Sequence, residues 1–307
     1  MKVTVLGASG GIGGTLVREL LGRGHEVTAV NRAGNADVPA EARKVAADIM
    51  SPQDAKRACA GADVVVLAAQ PPYQHWVDRW PPMMRNVIDA AAGAKIVFTD
   101  NLYAYAPATG PITERSPEHA TDHKGILRRQ LGEMLLATHE RGDLRATIGR
   151  FSDYYGPHGS HSGLMMVGVT PALRGFAPRG LYDLDQPHTF HYLPDAGRGF
   201  AELVERPEAD GHVWILPAAP PITQREMLTL VNRQVGRRRR VARISRNAMR
   251  LAGLFDPLLR EAVSTSIQYD RPWVVDATRF TETFGAFETT SHEEAVATTV
   301  AWVRSRR

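Results

Sequence analysis

The sequence is almost without cysteine. Cys59 is the only cysteine among 307 residues, so a disulfide within the chain is excluded, as is a site built from several cysteines. The histidines considered as metal ligands are His123, His158 and His161. The last two are three residues apart, but no carboxylate or third histidine accompanies them at ligand spacing. We therefore predict no metal site.

Long apolar runs and excess charge are also absent. No apolar segment reaches membrane-spanning length, and the first residues enter a strand-like run without signal-peptide features. We therefore expect a cytoplasmic protein with no membrane partner. The net charge is only +4, and the one dense basic run, Arg237–Arg240, is typical of a solvated turn before a strand at Val241–Ile244. Alternatively, this basic run could form a positive face that attracts an anionic substrate. We predict no nucleic-acid partner.

A glycine-rich turn is the most informative feature that is present. It follows an apolar strand at Val3–Leu6, and an amphipathic helix is predicted to begin near Gly14. Small residues allow a tight turn and close helix packing, and free N–H groups at the helix start favour a pyrophosphate. A second strand at His25–Val30 completes the βαβ order that dinucleotide binding requires. The sequence thus predicts a dinucleotide site.

Strands and helices alternate through the first half of the chain. Further strands are predicted at Lys44–Asp48, Val64–Ala69, Lys95–Thr99 and Ala146–Arg150, and helices from Ser51 and over Met83–Ala92 and 122–140. This order predicts an α/β fold with a doubly wound parallel sheet of the Rossmann type.

The second half is less regular and is frequently interrupted by proline. Helices are predicted at 195–206, 223–235 and 292–305. We expect a dinucleotide-binding domain over residues 1–155, to which a segment at about 186–217 returns. Residues 156–307 are predicted to form mainly a smaller C-terminal substrate-binding lobe.

The end of the second predicted strand indicates which cofactor binds. An acid at this place would bind the ribose hydroxyls of NAD, but the strand ends Val30-Asn31-Arg32. The Arg32 guanidinium can pair with a 2′-phosphate, and Ser9 can add a hydroxyl group. The pattern favours NADP over NAD, with a merely solvated Arg32 as the alternative.

Other positions complete the predicted cofactor site. Asp48 and Ile49 follow the third strand and can hold the adenine ring, although Asp48 could instead help to cap the helix near Ser51. Small residues after the fourth strand leave space for ribose and nicotinamide. The predicted cofactor-binding residues are Gly7, Ser9, Gly10, Ile12, Gly13, Asn31, Arg32, Asp48, Ile49, Ala68, Ala69, Gln70 and, from the resemblance described next, Arg129.

Nearly the whole chain resembles the short-chain dehydrogenase/reductase (SDR) superfamily, in its extended, epimerase/dehydratase-like branch. Beyond the glycine turn, the resemblance is carried by Leu102–Pro107, Pro111–Glu114, the helix with Glu133, Arg150 through Pro157, and Phe190–Ala196. It implies NAD(P)-dependent chemistry on a small-molecule substrate. Because members often pair through helices, it also implies a homodimer by analogy.

The usual catalytic residues of this superfamily are missing. The family chemistry normally needs a Ser or Thr after the fifth strand and a Tyr-x-x-x-Lys on the following helix. Alignment on Glu133 places Gly125 and Arg129 at the tyrosine and lysine positions, and alignment on Tyr105 places Asn101 at the serine position. The chain thus resembles an atypical SDR. Arg129 could still bind ribose or phosphate but cannot easily move a proton.

Four residues are candidates to replace that machinery. Tyr103 could take the proton role or pack against the smaller lobe, and Lys124 could reach the pocket or lie at the surface. Asn101 could hydrogen-bond a substrate oxygen. Asp153 could act as a base or simply pair with a cation. An aromatic set is available to line an apolar pocket: Tyr154, Tyr155, Tyr182, Phe190, Tyr192 and Trp273.

Three functions follow from these observations. The first is an NADP-dependent oxidoreductase that acts on a small, rather apolar metabolite by hydride transfer with a non-standard proton donor. The second is a non-redox isomerase, cyclase or lyase on the same scaffold, which the loss of the Tyr and Lys favours. The third is an NADP-sensing regulatory protein.

Overall fold

The computed structural model describes residues 1–306, apart from the side chain of Ser264. The strands are β1 (Lys2–Leu6), β2 (Glu26–Asn31), β3 (Arg43–Ala46), β4 (Val64–Leu67), β5 (Lys95–Asp100), β6 (Arg145–Arg150), β7 (Tyr154–Tyr155), β8 (Arg179–Leu181), β9 (Pro187–His188), β10 (His191–Tyr192), β11 (Val213–Ile215), β12 (Ile222–Thr223) and β13 (Ala242–Ile244). The α-helices are α1 (Gly11–Gly22), α2 (Pro52–Cys59), α3 (Trp76–Ala90), α4 (His123–Glu140), α5 (Thr170–Leu173), α6 (Leu193–Glu205), α7 (Gln224–Gln234), α8 (Arg246–Ala252), α9 (Pro257–Thr265), α10 (Thr278–Phe284) and α11 (His292–Ser305). A π-helix covers Leu164–Val169, and short 3-10 turns cover Tyr73–His75 and Tyr103–Tyr105.

A seven-stranded sheet forms the centre of the fold, in the order β11–β6–β5–β4–β1–β2–β3. All its neighbouring strands pair in parallel. Every residue of β4 is buried, as expected for a central strand covered on both faces. The predicted doubly wound α/β fold is therefore confirmed. The carboxyl ends of the strands meet at one edge, where ligands bind in such sheets.

Helices cover both faces of this sheet. On one face α1 packs with α6, and Arg23 joins them through Glu19, Glu202 and Glu205. On the other face the buried side chains of α2, α3 and α4 form a second core, which includes Trp80, Met84 and Leu131. The two layers hold the strand ends, and hence the site, in fixed positions.

The second half of the chain has its own apolar core and also returns to the sheet. Met227, Val231 and Val296 on α7 and α11 pack against the Leu164–Val169 segment. β11 extends the sheet beside β6, and Trp214 on it packs against Phe280 of α10.

Several predicted boundaries differ from those observed. α1 begins at Gly11 rather than near Gly14, because Gly10 is extended and serves as the N-cap. α3 begins at Trp76 rather than Met83, because the burial of Trp76 and Trp80 anchors its first turns despite the prolines at positions 81 and 82. The α8–α9 pair was not predicted at all.

Candidate functional site

The turn between β1 and α1 is built from close backbone contacts. Gly7 has a φ of 93°, and a Cβ there would lie 2.4 Å from the backbone nitrogen of Ala69. A Cβ on Gly13 would lie 2.3 Å from the carbonyl oxygen of Gly7. No side chain caps α1 at Gly10, so its first N–H groups remain available. The turn therefore fits the phosphates of a dinucleotide.

A groove of about 680 Å³ runs from this turn along the ends of β2, β3 and β4. It brings together ten of the residues predicted to bind cofactor: Gly7, Ser9, Gly10, Asn31, Arg32, Asp48, Ile49, Ala68, Ala69 and Gln70. Arg79 from α3 and His161 also line it, and neither was singled out from the sequence as a cofactor ligand. Ile12 lies in the adjoining cavity, and Gly13 serves the packing of the turn.

The end of β2 presents amide and guanidinium groups to the groove. The Asn31 amide donates to Ser9 Oγ at 2.5 Å and to Asn35 Oδ1 at 3.1 Å, which fixes the glycine turn against β2. Arg32 is exposed beside it and lines the groove. This end of the groove thus offers donors rather than an acid.

Asp48 faces the same groove and is not the cap of α2. Its carboxylate accepts the backbone N–H of Met50 at 3.0 Å, whereas the N-cap role belongs to Ser51, whose hydroxyl accepts from Asp54 N–H. Asp48 and Ile49 both line the groove, and their contact with an adenine ring stays a prediction.

A second cavity, of about 240 Å³, adjoins the groove and shares Ala68, Ala69, Gln70 and His161 with it. The predicted candidates Asn101, Tyr103 and Asp153 line this cavity together. Asn101 Oδ1 accepts the backbone N–H of Tyr103 at 3.0 Å, which leaves the side-chain amide nitrogen of Asn101 to donate.

The aromatic residues that line this cavity differ from the predicted set. Tyr154 and Trp273 line it as expected, whereas Tyr155, Tyr182, Phe190 and Tyr192 pack elsewhere; Tyr73, Trp76, Trp80 and Phe151 complete it.

The Tyr103 phenol lies beside a pair of hydrogen-bonded hydroxyl groups. These are the hydroxyls of Tyr73 and of Thr265 on α9, whose oxygens are 2.6 Å apart. Burial raises the pKa of Tyr103, and the nearby Asp153 carboxylate raises it further. The phenol therefore stays protonated at neutral pH.

Asp153 is held by a buried histidine. His188 Nε2 lies 2.8 Å from the Asp153 carboxylate, and the imidazole ring stacks on Tyr269 with 5.3 Å between centroids. His188 is 2% exposed, so Asp153 has a fixed orientation at the cavity wall.

Gly125, at the tyrosine position of the family motif, has no side chain, and neighbouring atoms leave no space for one. A Cβ at Gly125 would lie 2.3 Å from Ala120 Cβ and 2.7 Å from the Tyr103 carbonyl oxygen. Two predicted residues on the same helix, the catalytic candidate Lys124 and the cofactor-binding candidate Arg129, line neither the cavity nor the groove. Lys124 is buried over the Tyr73 ring and pairs with Glu261, and Arg129 is partly exposed and pairs with Glu133 at 3.7 Å.

Arg128, which the sequence reasoning passed over, lines the cavity instead. It is 3% exposed and lies one helical turn after the buried Lys124. A signal was available, since Leu127, Leu131 and Leu135 form an apolar stripe that places positions 124 and 128 on the buried side of α4.

Two kinds of feature are absent from the described part of the chain. Over residues 1–306 no helix is both long and apolar enough to cross a membrane. In the same range, no cluster of three or more His, Cys, Asp or Glu side chains is arranged to hold a metal ion.

Known structures share this fold over its full length. The dTDP-glucose 4,6-dehydratase of Bacillus anthracis, solved with NAD, has a TM-score of 0.82 and 15% identity and covers 100% of this chain and 97% of its own. The NAD complex of Thermus thermophilus UDP-glucose 4-epimerase has a TM-score of 0.80 and 18% identity, with both chains covered completely. The dTDP-glucose 4,6-dehydratase of Streptomyces venezuelae has a TM-score of 0.81 and 20% identity and covers 100% of this chain and 98% of its own. At these identities the likeness establishes the fold alone.

Sequence comparison is more specific. No curated protein sequence matches the chain significantly. A family model described as the NAD dependent epimerase/dehydratase family matches residues 3–216, which is more than half of the chain and contains the groove and most of the cavity lining. The chain therefore belongs to the NAD dependent epimerase/dehydratase family and is an NAD(P)-dependent enzyme of the extended SDR type.

Proposed function

We propose that the chain is an NADP-dependent oxidoreductase that acts on a small, rather apolar metabolite, with Tyr103 as the proton donor. The observation that supports this proposal most directly is that the cofactor groove and the aromatic cavity adjoin each other. The dinucleotide groove and the aromatic cavity share Ala68–Gln70, and the cavity contains a protonated phenol. A bound nicotinamide would supply hydride at this junction.

The preference for NADP rests on charge at the end of β2. Arg32 and Arg79 line the groove, and Asn31 occupies the place where an acid would select the ribose hydroxyls of NAD. A guanidinium can pair with a 2′-phosphate through two hydrogen bonds, and NAD offers no such group. The solved relatives named above contain NAD, so the cofactor preference is a point on which this chain is proposed to differ.

The size and lining of the cavity support a small substrate. A volume of about 240 Å³ is below the range usual for drug-sized ligands, and part of it adjoins the cofactor groove. Trp76, Trp80 and Trp273 supply apolar wall, while Asn101 can donate a hydrogen bond to a carbonyl oxygen. In reduction, Tyr103 would protonate that oxygen and recover its proton through Tyr73 and Thr265.

The cofactor part of this proposal is tested by titrating NADP and NAD into wild type, Arg32→Ala and Arg43→Ala. Arg43 is an exposed arginine outside the groove and serves as the control. We expect wild type to prefer NADP and Arg32→Ala to lose about tenfold in NADP affinity with NAD affinity unchanged. Equal affinities in wild type, or an unchanged Arg32→Ala, would contradict the assignment to NADP.

The redox part is tested by incubating the chain with NADPH and a panel of small ketones, imines and enones. Oxidation of NADPH that depends on one class of compound is the expected result. Tight cofactor binding with no turnover of any compound would count heavily against an oxidoreductase.

A non-redox isomerase or lyase is the second candidate, because the fixed Asp153–His188 pair offers a base at the cavity wall. Such an enzyme would remain active without added cofactor and would lose activity in Asp153→Asn. Activity that requires added NADP(H) would exclude it.

A further inference from the structure

Arg128 lines the substrate cavity with its hydrogen-bonding capacity unfilled. Its guanidinium carbon lies 4.2 Å from the Trp76 ring centroid and 4.6 Å from that of Trp80. The two indoles meet at 84°, and both lie within cation–π distance of the guanidinium. Its Nε and Nη1 are buried and have no hydrogen-bond partner. Nε shares one edge of the planar guanidinium with Nη2, and this Nε–Nη2 edge is the open edge of Arg128.

The neighbouring acid does not satisfy this edge. Asp100 Oδ1 lies 3.2 Å from Arg128 Nη1, but the geometry makes no hydrogen bond, and both atoms remain without one. The other Asp100 oxygen accepts from Arg150 Nε at 2.9 Å, and Arg150 is also bound by Glu118. Buried polar groups in folded proteins nearly always have partners, so the unfilled edge indicates an acceptor that arrives with a ligand.

The cavity is also electrically polar. Arg128 lines it beside Trp76 and Trp80 and is ion-paired with Asp100, and Asp153, held by His188, lines it as well. Both charges act on Tyr103, since Asp153 raises and Arg128 lowers the pKa of its phenol. A ligand that spans the cavity would therefore meet a cation, a proton donor and a carboxylate.

We infer that the substrate of the proposed oxidoreductase is a small carboxylic acid bearing an oxo or hydroxyl group, whose carboxylate binds the open edge of Arg128. The inference rests on the proposed function for the role of the oxo or hydroxyl group beside Tyr103. A guanidinium edge matches a carboxylate through parallel hydrogen bonds, which gives orientation as well as affinity. An oxygen of the bound cofactor is the other source of an acceptor at the same edge.

The experiment compares benzoate with benzamide, which have nearly the same shape and differ in charge. Binding to the full chain is measured by calorimetry with and without saturating NADP, and by the fluorescence of the tryptophans beside Arg128. The variants are Arg128→Gln, Arg128→Lys and, as the matched control, Arg129→Gln, which alters the adjacent, partly exposed arginine. Thermal melting reports whether each variant folds.

We expect wild type to bind benzoate at least about tenfold more tightly than benzamide in the presence of NADP. Arg128→Gln should lose this preference, Arg128→Lys should retain part of it, and Arg129→Gln should retain it fully. If Arg128→Gln does not fold, the inference is tested by the benzoate and benzamide affinities of wild type and of Arg128→Lys.

Three results would overturn the inference. They are equal affinity of wild type for the two probes (including no binding of either), a benzoate preference that survives in Arg128→Gln, and a preference seen only without NADP. The last result would assign the edge to the cofactor. Because these are binding measurements, a chain that prefers benzoate but oxidises no NADPH would keep the inference and fail the proposed function.

Discussion

Tyr103 is the side chain proposed to take the proton-donor role for which the family motif is missing. It enters the cavity from the turn after β5 rather than from α4, and burial keeps its pKa raised. A phenol that is neutral at physiological pH is suited to donate a proton to a developing alkoxide. Under the proposed function, the hydroxyl groups of Tyr73 and Thr265, which hydrogen-bond with each other beside Tyr103, would return the proton to it.

Tyr103→Phe removes this proton donor while conserving the ring. We expect the rate of NADPH-dependent reduction to fall by about 10²- to 10⁴-fold, with NADP affinity unchanged, because the hydroxyl lines the substrate cavity and not the cofactor groove. Single-turnover kinetics with the best substrate of the panel measure the effect. Tyr105→Phe, on the same turn but outside the cavity lining, is the control and should retain the wild-type rate. Equal rates in Tyr103→Phe and wild type would assign the proton to another group.

The residues of α4 show how much of the site can be predicted from the sequence. The motif alignment pointed to Gly125 and Arg129, whereas the structure brings Arg128 to the cavity and buries Lys124. One residue along a helix changes direction by about 100°, so the phase of the apolar stripe is a better guide here than the motif register. The glycine turn needed no such correction, since local backbone geometry dictates it.

At the scale of whole elements, the first half was predictable because its strands are short, apolar and regularly spaced. The start of α3 was not predictable, since two adjacent prolines suggest an interrupted helix and only tertiary burial of Trp76 and Trp80 extends it. α8 and α9 did carry local signals, namely the caps at Ser245 and Asp256. These signals were too short to outweigh the irregular, proline-rich context around them.

The packing of α4 against the turn at Tyr103–Tyr105 depends on Gly125. Alanine there would gain helix propensity of about 1 kcal/mol, but its Cβ would lie 2.3 Å from Ala120 Cβ. We expect Gly125→Ala to lower the free energy of unfolding by about 1–3 kcal/mol, as overpacking does. Urea denaturation measures this change. Gly22→Ala, whose Cβ would meet nothing within 4 Å, is the control and should be neutral or stabilising.

The same contact predicts a functional result. Gly125→Tyr restores the family residue in name, yet its ring has no path to the cavity past the Tyr103 carbonyl oxygen. We therefore expect it to lower both stability and the rate of reduction. A rate above that of wild type would show that α4 can move and that the sealed position is not fixed.

At the scale of the whole molecule, His191 links two segments that come from opposite halves of the chain. Its Nδ1 accepts the backbone N–H of Ser152 at 3.1 Å, and its Nε2 donates to the carbonyl oxygen of Leu216 at 3.0 Å. These contacts join the ends of β6 and β11 beside the cavity and require the neutral ring. Burial lowers the pKa of His191 to about 4.

This link makes stability depend on pH in a defined direction. Between the unfolded value of 6.5 and about 4, the unfolded chain binds a proton at His191 that the native chain does not bind, so unfolding becomes easier as the pH falls. The loss from this residue is at most about 1.4 kcal/mol per pH unit, or about 3 kcal/mol over the window. Urea denaturation at pH 7.5 to 4.5 should show this slope, and His191→Gln, which can keep both hydrogen bonds without titrating, should reduce it. Burial also lowers the pKa of His158 to about 4, so His158→Gln should reduce the slope in the same window, and the double variant should reduce it further. A wild-type slope in His191→Gln would mean that the ring does not hold the two strand ends together in its neutral form.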